Sequence, residues 1–539
     1  MQQKSQIFQK SVFLFSALIF VLLSVFLIIC LFCACSPIFT LTGHSQKAVS
    51  VLRIAKITSL TFYQAFLSLF VAILIGVPAA FFCGKRNFFG RKFLLSLSAI
   101  PVCMPALIIA LGYITFFGRS GILNQFINSI NSIWNLKTPS VNFLYTFFGL
   151  ILTQGFYNFP LVMSTVSDAW SRLPNEQAES ARLLGSSEWR IFRTITLFQL
   201  MPAIVSACIP VFIYCFFSFM LVLLFGGIGI TTLEVEIYQA VRNTLDFRFA
   251  SSLALTETLS AGLVVALYAV LEKRSSVEKG LNLKSSGDLK KIRGPAEKIF
   301  FGIVIFLIML FFLAPLAGII FNAFSSANRF DSSIFYNLRK ILSSKSFFKA
   351  FRWTFFSSLT TGFLCTTAGF FYAIVLRKSR SAFLKSVSML PMAISGIVTG
   401  LGLMILFRRG NFLILVLAQS ALIWPMAFRQ IFPYILKIPE STVDAARILS
   451  PNPMDLIFKI YLPVCKRGIF SAFGFCFAIS AGDTSLPLIL SIPNFDTLAL
   501  FTYRLAGSYK FNEACMTGLI LASLCTVVFG LAKRICKSA

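Results

Sequence analysis

Apolar stretches long enough to cross a bilayer as a helix recur along the whole chain, with short polar segments between them. They predict transmembrane helices rather than a barrel, because barrel strands would be about half as long and would alternate in polarity. The fold class expected is an all-α polytopic membrane protein with about 12 transmembrane helices. The predicted spans are 11–37, 58–83, 93–117, 141–166, 197–225, 250–271, 298–323, 351–376, 384–407, 411–436, 464–490 and 513–532.

Composition agrees with a membrane protein, since 57% of the 539 residues are hydrophobic and only 12% are charged. The net charge of +29 comes from basic residues in short loops, in the central linker and at the C-terminus. With twelve spans these segments share one side of the membrane, so the positive-inside rule predicts that this side, with both termini, is cytoplasmic. The charge has this simpler explanation, so no nucleic-acid partner is expected.

Metal and enzyme chemistry have little support in the sequence. The 13 cysteines lie almost all in apolar stretches, and the chain has one histidine. Small residues packed between helices explain such cysteines better than a ligand cluster does. We therefore predict no metal site, no catalytic residue and no cofactor bound by this chain.

One polar segment between two spans occurs twice. Residues 172–203 and 436–468 align at a shift of 265 positions. A proline followed by acidic residues suits the start of a helix, and the alanines and leucine behind it form one small apolar face. A short exposed helix that docks on another protein explains both copies, whereas a bare surface loop does not explain the shared order. The aligned pairs are Pro174 and Pro439, Glu179 and Asp444, Ala181 and Ala446, Arg182 and Arg447, and Leu184 and Leu449.

The similarity between the two halves extends beyond these loops. Thr61 aligns with Thr354 at a shift of 293, and Gln154 aligns with Gln419 at a shift of 265. The smaller second shift means that the first half carries extra residues. We predict them in an outside loop near 124–142. An even number of spans separates the halves, which makes them parallel repeats. The predicted units are a first repeat 1–271 (core 58–271, polar loop 168–196), a cytoplasmic linker 272–297, and a second repeat 298–539 (core 351–532, polar loop 437–463).

The duplicated loop resembles the cytoplasmic loop of permeases from binding-protein-dependent ABC importers, whose signature is roughly Glu-Ala-Ala, a glycine, then Ile-x-Leu-Pro. Phe198 replaces the proline in the first copy, and Ser450 replaces the glycine in the second. The whole chain resembles the fused double-length permeases of thiamine and ferric-ion importers. Three stretches, 225–242, 480–490 and 497–521, look most like the thiamine permease.

This resemblance implies the partners. Each loop would couple to an ABC ATPase homodimer on the cytoplasmic side, which would bind ATP and Mg, since this chain has no G-x-x-x-x-G-K-[ST] sequence. A periplasmic solute-binding protein would deliver a small molecule, thiamine or its phosphates, with ferric iron as the alternative, through the bacterial inner membrane. The implied coupling residues are Glu179, Ala181, Gly185, Asp444, Ala445, Ala446 and Ser450.

Polar residues inside the spans are candidates for the translocation path. Asp483 is the strongest, because the repeat places the neutral Ser218 opposite it, although it could instead cap a helix after a break. Gln154, Asn158 and Gln419 could line the path or bond neighbouring helices together. Glu234 could line the path or lie at the outer surface.

Two other function classes remain as alternatives. A secondary transporter driven by an ion gradient would also have about twelve spans, but it normally carries several intramembrane carboxylates and gives the paired loops no role. A membrane enzyme would need clustered His, Asp or Cys side chains. A permease driven by a separate ATPase is the leading hypothesis.

Overall fold

The structure, a computed structural model, describes residues 21–40, 51–135, 138–174, 176–226, 229–278, 289–292, 294–325, 335–378, 388–449 and 453–535. Within these ranges the chain is almost entirely helical, and nine helices are long and apolar enough to cross a membrane. Each of the twelve predicted spans contains at least one helix. The prediction of an all-α polytopic membrane protein is confirmed.

The bounds of the helices follow the predicted spans with frequent interruptions. In the first half the helices are Val21–Cys35, Pro37–Thr40, Val51–Lys85, Arg91–Ser96, Ile100–Cys103, Ala106–Phe117, Ile122–Trp134, Phe147–Arg172, Glu176–Leu183, Glu188–Ile191, Leu197–Phe216, Phe219–Phe225, Leu233–Gln239 and Phe247–Glu278. In the second half they are Pro295–Ile308, Ala314–Phe324, Tyr336–Leu342, Lys345–Lys378, Gly396–Phe407, Phe412–Leu436, Glu440–Leu449, Pro453–Asp455, Leu462–Gly482, Ser485–Leu490, Leu498–Gly507 and Phe511–Ile535.

Short segments of other helix types complete the secondary structure. Wider π-turns occupy Phe192–Thr196, Ala240–Thr244, Met309–Leu313 and Leu456–Tyr461, and 3₁₀ turns occupy Leu97–Ala99 and Leu390–Ala393. The π-turns at Phe192–Thr196 and Leu456–Tyr461 lie at nearly equivalent positions of the two repeats. Each of these π-turns connects a polar loop to the long helix that follows it.

Several predicted spans are broken rather than continuous, which corrects the sequence expectation. The span 93–117 is interrupted at Pro105, whose missing N–H and ring disfavour a continuous helix. The span 197–225 breaks at Phe217 and Ser218, and the span 464–490 breaks at Asp483 and Thr484. The last two breaks are related by the 265-residue repeat. The outside loop expected near 124–142 also contains a helix, Ile122–Trp134.

The linker predicted at 272–297 is shorter than expected. The helix Phe247–Glu278 continues into it, and Pro295 begins the next long helix. Between them Lys290–Lys291 pairs in parallel with Arg86–Asn87, forming a minimal two-stranded sheet. The start of the second half is therefore attached to the loop that follows Val51–Lys85.

The first helix of each half packs on the other half. A Cβ built on Gly112 would lie 2.7 Å from the carbonyl oxygen of Pro315, and a Cβ on Gly402 would collide with the carbonyl oxygen of Cys30. Both glycines thus permit a close backbone approach at equivalent positions. The largest cluster of buried side chains accordingly contains residues of both halves.

Equivalent hydrogen bonds recur in the two halves. The Leu233 amide donates to the Thr61 hydroxyl at 3.1 Å, and the Leu498 amide donates to the Thr354 hydroxyl at 2.7 Å. The threonines are related by the shift of 293 and the leucines by the shift of 265. The two parallel repeats predicted from the sequence therefore share three-dimensional detail as well as residue order.

The close approach at Gly112 gives a first testable prediction. Gly112→Ala should destabilise the chain by about 1–3 kcal/mol, because the added methyl group overlaps the Pro315 backbone. Thermal unfolding of the detergent-purified chain measures the effect. Gly302→Ala is the matched control, since a Cβ at that helical glycine meets no atom within 4 Å. Equal melting temperatures for the two variants would contradict the proposed packing.

Candidate functional site

The first polar loop contains the helix Glu176–Leu183, which ends in a tight glycine turn. Gly185 has φ of +80°, its N–H donates to Arg182 O at 2.9 Å, and the Ser186 N–H donates to Ala181 O at 3.0 Å. This pair of bonds is a Schellman helix end, which needs a left-handed residue and therefore favours glycine. Gly185 thus has a clear local role in stopping the helix and turning the chain.

Two apolar side chains project from each polar loop into the surroundings. Leu183 and Leu184 are 89% and 87% exposed, and Ile448 and Leu449 are 85% and 86% exposed. The shift of 265 relates the first pair to the second. Adjacent apolar side chains left this exposed at matched positions indicate an interaction surface. Sequence reasoning noted Leu184 and Leu449 but missed their neighbours, although both pairs are visible in the aligned loops.

The predicted coupling residues surround these apolar pairs. Glu179, Asp444 and Ala445 are exposed, and Ala181 and Ala446 are half-buried. Gly185 lies in the turn described above. Ser450, the residue that takes the place of this glycine in the second copy, lies outside the described residues.

Basic side chains connect each loop to the body of its own half. Lys85 Nζ donates to Leu173 O at 3.3 Å, and Arg377 Nη2 donates to Ile438 O at 2.7 Å. The two acceptors are related by the shift of 265, and the two donors lie one position apart in the alignment of the repeats. In the first loop Arg182 Nη2 donates to Glu188 Oε2 at 3.0 Å, and this hydrogen bond raises the pKa of Arg182. A displacement of either loop would therefore be transmitted to a long helix.

A second candidate site is a cavity between the two halves. Two adjoining cavities of about 350 and 360 Å³ share Tyr157, Tyr214 and Asp483 in their walls. Both repeats contribute to the lining. A volume of this size suits a small organic molecule.

The structure places most of the predicted path residues at this cavity. Asp483, Gln419 and Glu234 line one part and Asn158 lines the other. Gln154 is not among the lining residues; its Oε1 accepts hydrogen bonds from Ser68 at 2.8 Å and from Gln64. Gln154 therefore bonds two neighbouring helices together, the second of the two roles considered for it in the sequence analysis.

Asp483 lies both at a helix break and in the wall of the cavity. Gln419 Nε2 donates to its Oδ2 at 3.0 Å, and the Ser485 N–H donates to its Oδ1 at 3.0 Å. The second bond satisfies the N–H at the start of the short helix Ser485–Leu490, next to the N-cap residue Thr484. The carboxylate therefore stabilises the helix break and also lies in the wall of the cavity.

Glu234 in the cavity wall and Glu257 on the adjoining helix are both buried carboxylates. Glu234 is 3% exposed, which corrects the expectation that it could lie at the outer surface, and Glu257 is 1% exposed. The Glu234 Oε2 atom and both carboxylate oxygens of Glu257 have no hydrogen-bond partner. Sequence reasoning missed Glu257. The available signal was a single carboxylate in the apolar span 250–271.

Comparison with known proteins agrees with the architecture. A model of the family described as "binding-protein-dependent transport system inner membrane component" matches residues 76–277 and 365–538, once in each half. The chain belongs to this family. It is thus a multi-pass inner-membrane permease of the ABC importer type.

Relatives of this permease include full-length matches. The thiamine transport system permease protein ThiP of Escherichia coli (strain K12) is 28% identical over 501 residues, 88% of each chain. ThiP of Brucella abortus (strain 2308) is 26% identical over 503 residues, 90% of this chain and 88% of the relative. A putative 2-aminoethylphosphonate transport system permease protein, PhnU of Salmonella typhi, is 28% identical over 177 residues, 33% of this chain and 60% of that one.

Proposed function

We propose that this permease forms the translocation path of an ATP-driven importer for thiamine or its phosphates. The observation that carries the ATP-driven part is the pair of matched loops with exposed apolar side chains, Leu183 and Leu184 in one and Ile448 and Leu449 in the other. A secondary transporter gives such a pair no role. The matches to thiamine permeases over nearly the whole chain support the substrate.

The two loops dock on separate subunits of an ATPase homodimer. Glu179, Ala181 and Gly185 belong to one contact, and Asp444, Ala445, Ala446 and Ser450 to the other. The partner ATPase binds ATP and Mg, and closing of its dimer moves the two loops together. Lys85 and Arg377 pass this movement to the long helices. The loop end of the bundle, with both termini, faces the cytoplasm, and a periplasmic binding protein delivers the substrate at the opposite end.

Thiamine matches the chemistry of the cavity. Its thiazolium ring carries a permanent positive charge, and Asp483 and Glu234 place carboxylates in the cavity wall. Tyr157 and Tyr214 supply aromatic rings, which also attract organic cations. Ferric ion is the second candidate, because carboxylates also bind hard metal cations.

Reconstitution tests this proposal directly. Proteoliposomes holding the full permease, its ATPase and its binding protein should accumulate labelled thiamine only when ATP is enclosed with the ATPase. Vesicles without the binding protein are the control for leakage. Uptake of ferric ion alone would overturn the substrate, and uptake that needs only an ion gradient would overturn the ATP-driven mechanism.

A further inference from the structure

Glu234 and Glu257 form an acidic pair where the two halves meet. Glu234 lies on the helix Leu233–Gln239 and Glu257 on the helix Phe247–Glu278, both in the first half. The two helices pack on each other, and they also pack on the 3₁₀ turn Leu390–Ala393 and the helix Gly396–Phe407 of the second half, which flank Ser395. Glu234, Ser395 and Asp483 all line the cavity of about 360 Å³. Three carboxylates from both repeats thus contribute to one region.

The repeat does not duplicate this acidic region. The shift of 265 places Ala499 at the position of Glu234, Ala522 at that of Glu257 and Ser218 at that of Asp483. The shift of 290 places Pro105 at the position of Ser395. Every acidic position therefore has a neutral counterpart. The acids are additions to the shared fold, since the other repeat builds the same helices without them.

Burial makes these carboxylates costly unless something compensates them. An ionised side chain at membrane depth costs several kcal/mol, and a buried acceptor without a donor adds to this. Glu234 and Glu257 are both more than nine-tenths buried, and three of their four oxygens have no hydrogen-bond partner. Glu234 lines the 360 Å³ cavity directly. A cation in the cavity would supply the missing interaction.

We propose that Glu234 and Glu257, with Asp483 on the same cavity, form an asymmetric binding site for an organic cation. Carboxylates on one side and the aromatic Tyr157 and Tyr214 on the cavity wall suit a diffuse positive charge on a small organic body. The site deepens the proposed function, and it rests on that function only for the direction of transport. A single fused chain permits the asymmetry, because each repeat carries its own residues.

Direct binding tests the site without requiring transport. The full chain, purified in detergent, is heated with thiamine, with tetramethylammonium, or with thiochrome, an uncharged tricyclic derivative of thiamine. Both cations should raise the melting temperature, and thiochrome should not. Glu257→Gln and Glu234→Gln should each weaken the apparent affinity for thiamine at least about tenfold, because Glu234 lies in the cavity wall and Glu257 lies on the helix packed against it.

Matched controls separate this site from general effects. Glu513→Gln removes a carboxylate that pairs with Lys340 at 2.6 Å instead of lying at the cavity, and it should bind thiamine like the unmodified chain. Glu257→Ala copies the residue of the other repeat and provides a second variant if the glutamine variant folds poorly. If the cations raised the melting temperature of the acid variants as much as that of the unmodified chain, the site would be wrong. It would also be wrong if neither cation changed the melting temperature of the unmodified chain.

The same experiment distinguishes the site from the proposed function. If the cations stabilise the unmodified chain and the acid variants abolish this effect, the site stands even if proteoliposomes take up no thiamine. In that case only the substrate assignment fails. If proteoliposomes take up thiamine but Glu234→Gln and Glu257→Gln leave binding and uptake unchanged, the importer stands and the acidic site is wrong.

Discussion

Replacing Leu184 and Leu449 together with aspartate is expected to reduce ATP-driven uptake at least about 100-fold while leaving the chain folded. Both side chains are more than four-fifths exposed in the isolated chain, so the substitutions remove almost no packing within it. In the proposed complex each side chain enters an apolar contact with the ATPase. An aspartate there would have to lose its hydration without a partner, which costs several kcal/mol. Two such losses exceed the 2.7 kcal/mol that corresponds to about 100-fold in rate.

The measurement combines uptake with ATPase binding. Proteoliposomes containing the double variant should show neither thiamine uptake nor stimulation of ATP hydrolysis by the binding protein, and the purified variant should no longer retain the ATPase on a column. Leu184→Met with Leu449→Met is the matched control, because methionine keeps the apolar character and adapts its shape. Uptake by the aspartate variant at the level of the methionine variant would refute docking through these residues.

Variants with a single substitution test whether the two loops contribute equally to coupling. The first loop ends in a glycine turn at Gly185, whereas the second has Ser450 at the aligned position. Gly185→Ala adds a methyl group in open space, but it places a left-handed backbone on a residue that disfavours it. This change should therefore weaken coupling through the first loop by altering its helix end. Comparing Leu184→Asp with Leu449→Asp measures how far each loop contributes.

The features of the fold that follow from residue patterns could be predicted from sequence. Long apolar stretches located the spans, and the fixed shifts between pairs such as Thr61 and Thr354 identified the repeats. The break at Asp483 was only an alternative in the sequence analysis and the break at Ser218 was not predicted, because both lie in stretches that are apolar enough for an unbroken helix. Hydropathy measures the average environment of a window. It does not register where a helix bends to line a cavity.

The candidate sites also differ in how far they can be predicted from the sequence. The polar loops could be found because their surface residues recur in a fixed order. Glu257 could not be linked to Glu234 from sequence, since their proximity depends on how two helices pack beside Ser395 of the other half. The crossed packing at Gly112 and Gly402 is equally invisible, because a glycine within an apolar span has no unique interpretation. Such contacts depend on tertiary geometry.

Variants of Asp483 can distinguish its role in stabilising the fold from a role in substrate recognition. Asp483→Asn should lower thiamine uptake about tenfold or more with a small loss of stability, because its amide NH2 group cannot accept the hydrogen bond from Gln419 Nε2. Asparagine retains a side-chain oxygen that can accept the Ser485 N–H, so the hydrogen bond at the start of Ser485–Leu490 survives. It removes the negative charge from the cavity wall, and a charge close to a bound cation contributes more than a neutral dipole does.

Asp483→Leu completes the comparison, because it removes both this hydrogen bond and the charge. This variant should lose uptake and also unfold at a lower temperature, by an amount consistent with a lost hydrogen bond of about 1 kcal/mol. Ser218→Asn, at the matched break of the first repeat, controls for an amide in this position. If Asp483→Asn transports thiamine as well as the unmodified chain, and only Asp483→Leu fails, then Asp483 stabilises the start of the helix and the cation is recognised elsewhere. If both fail and Asp483→Leu is clearly the more destabilised of the two, the charge itself is required.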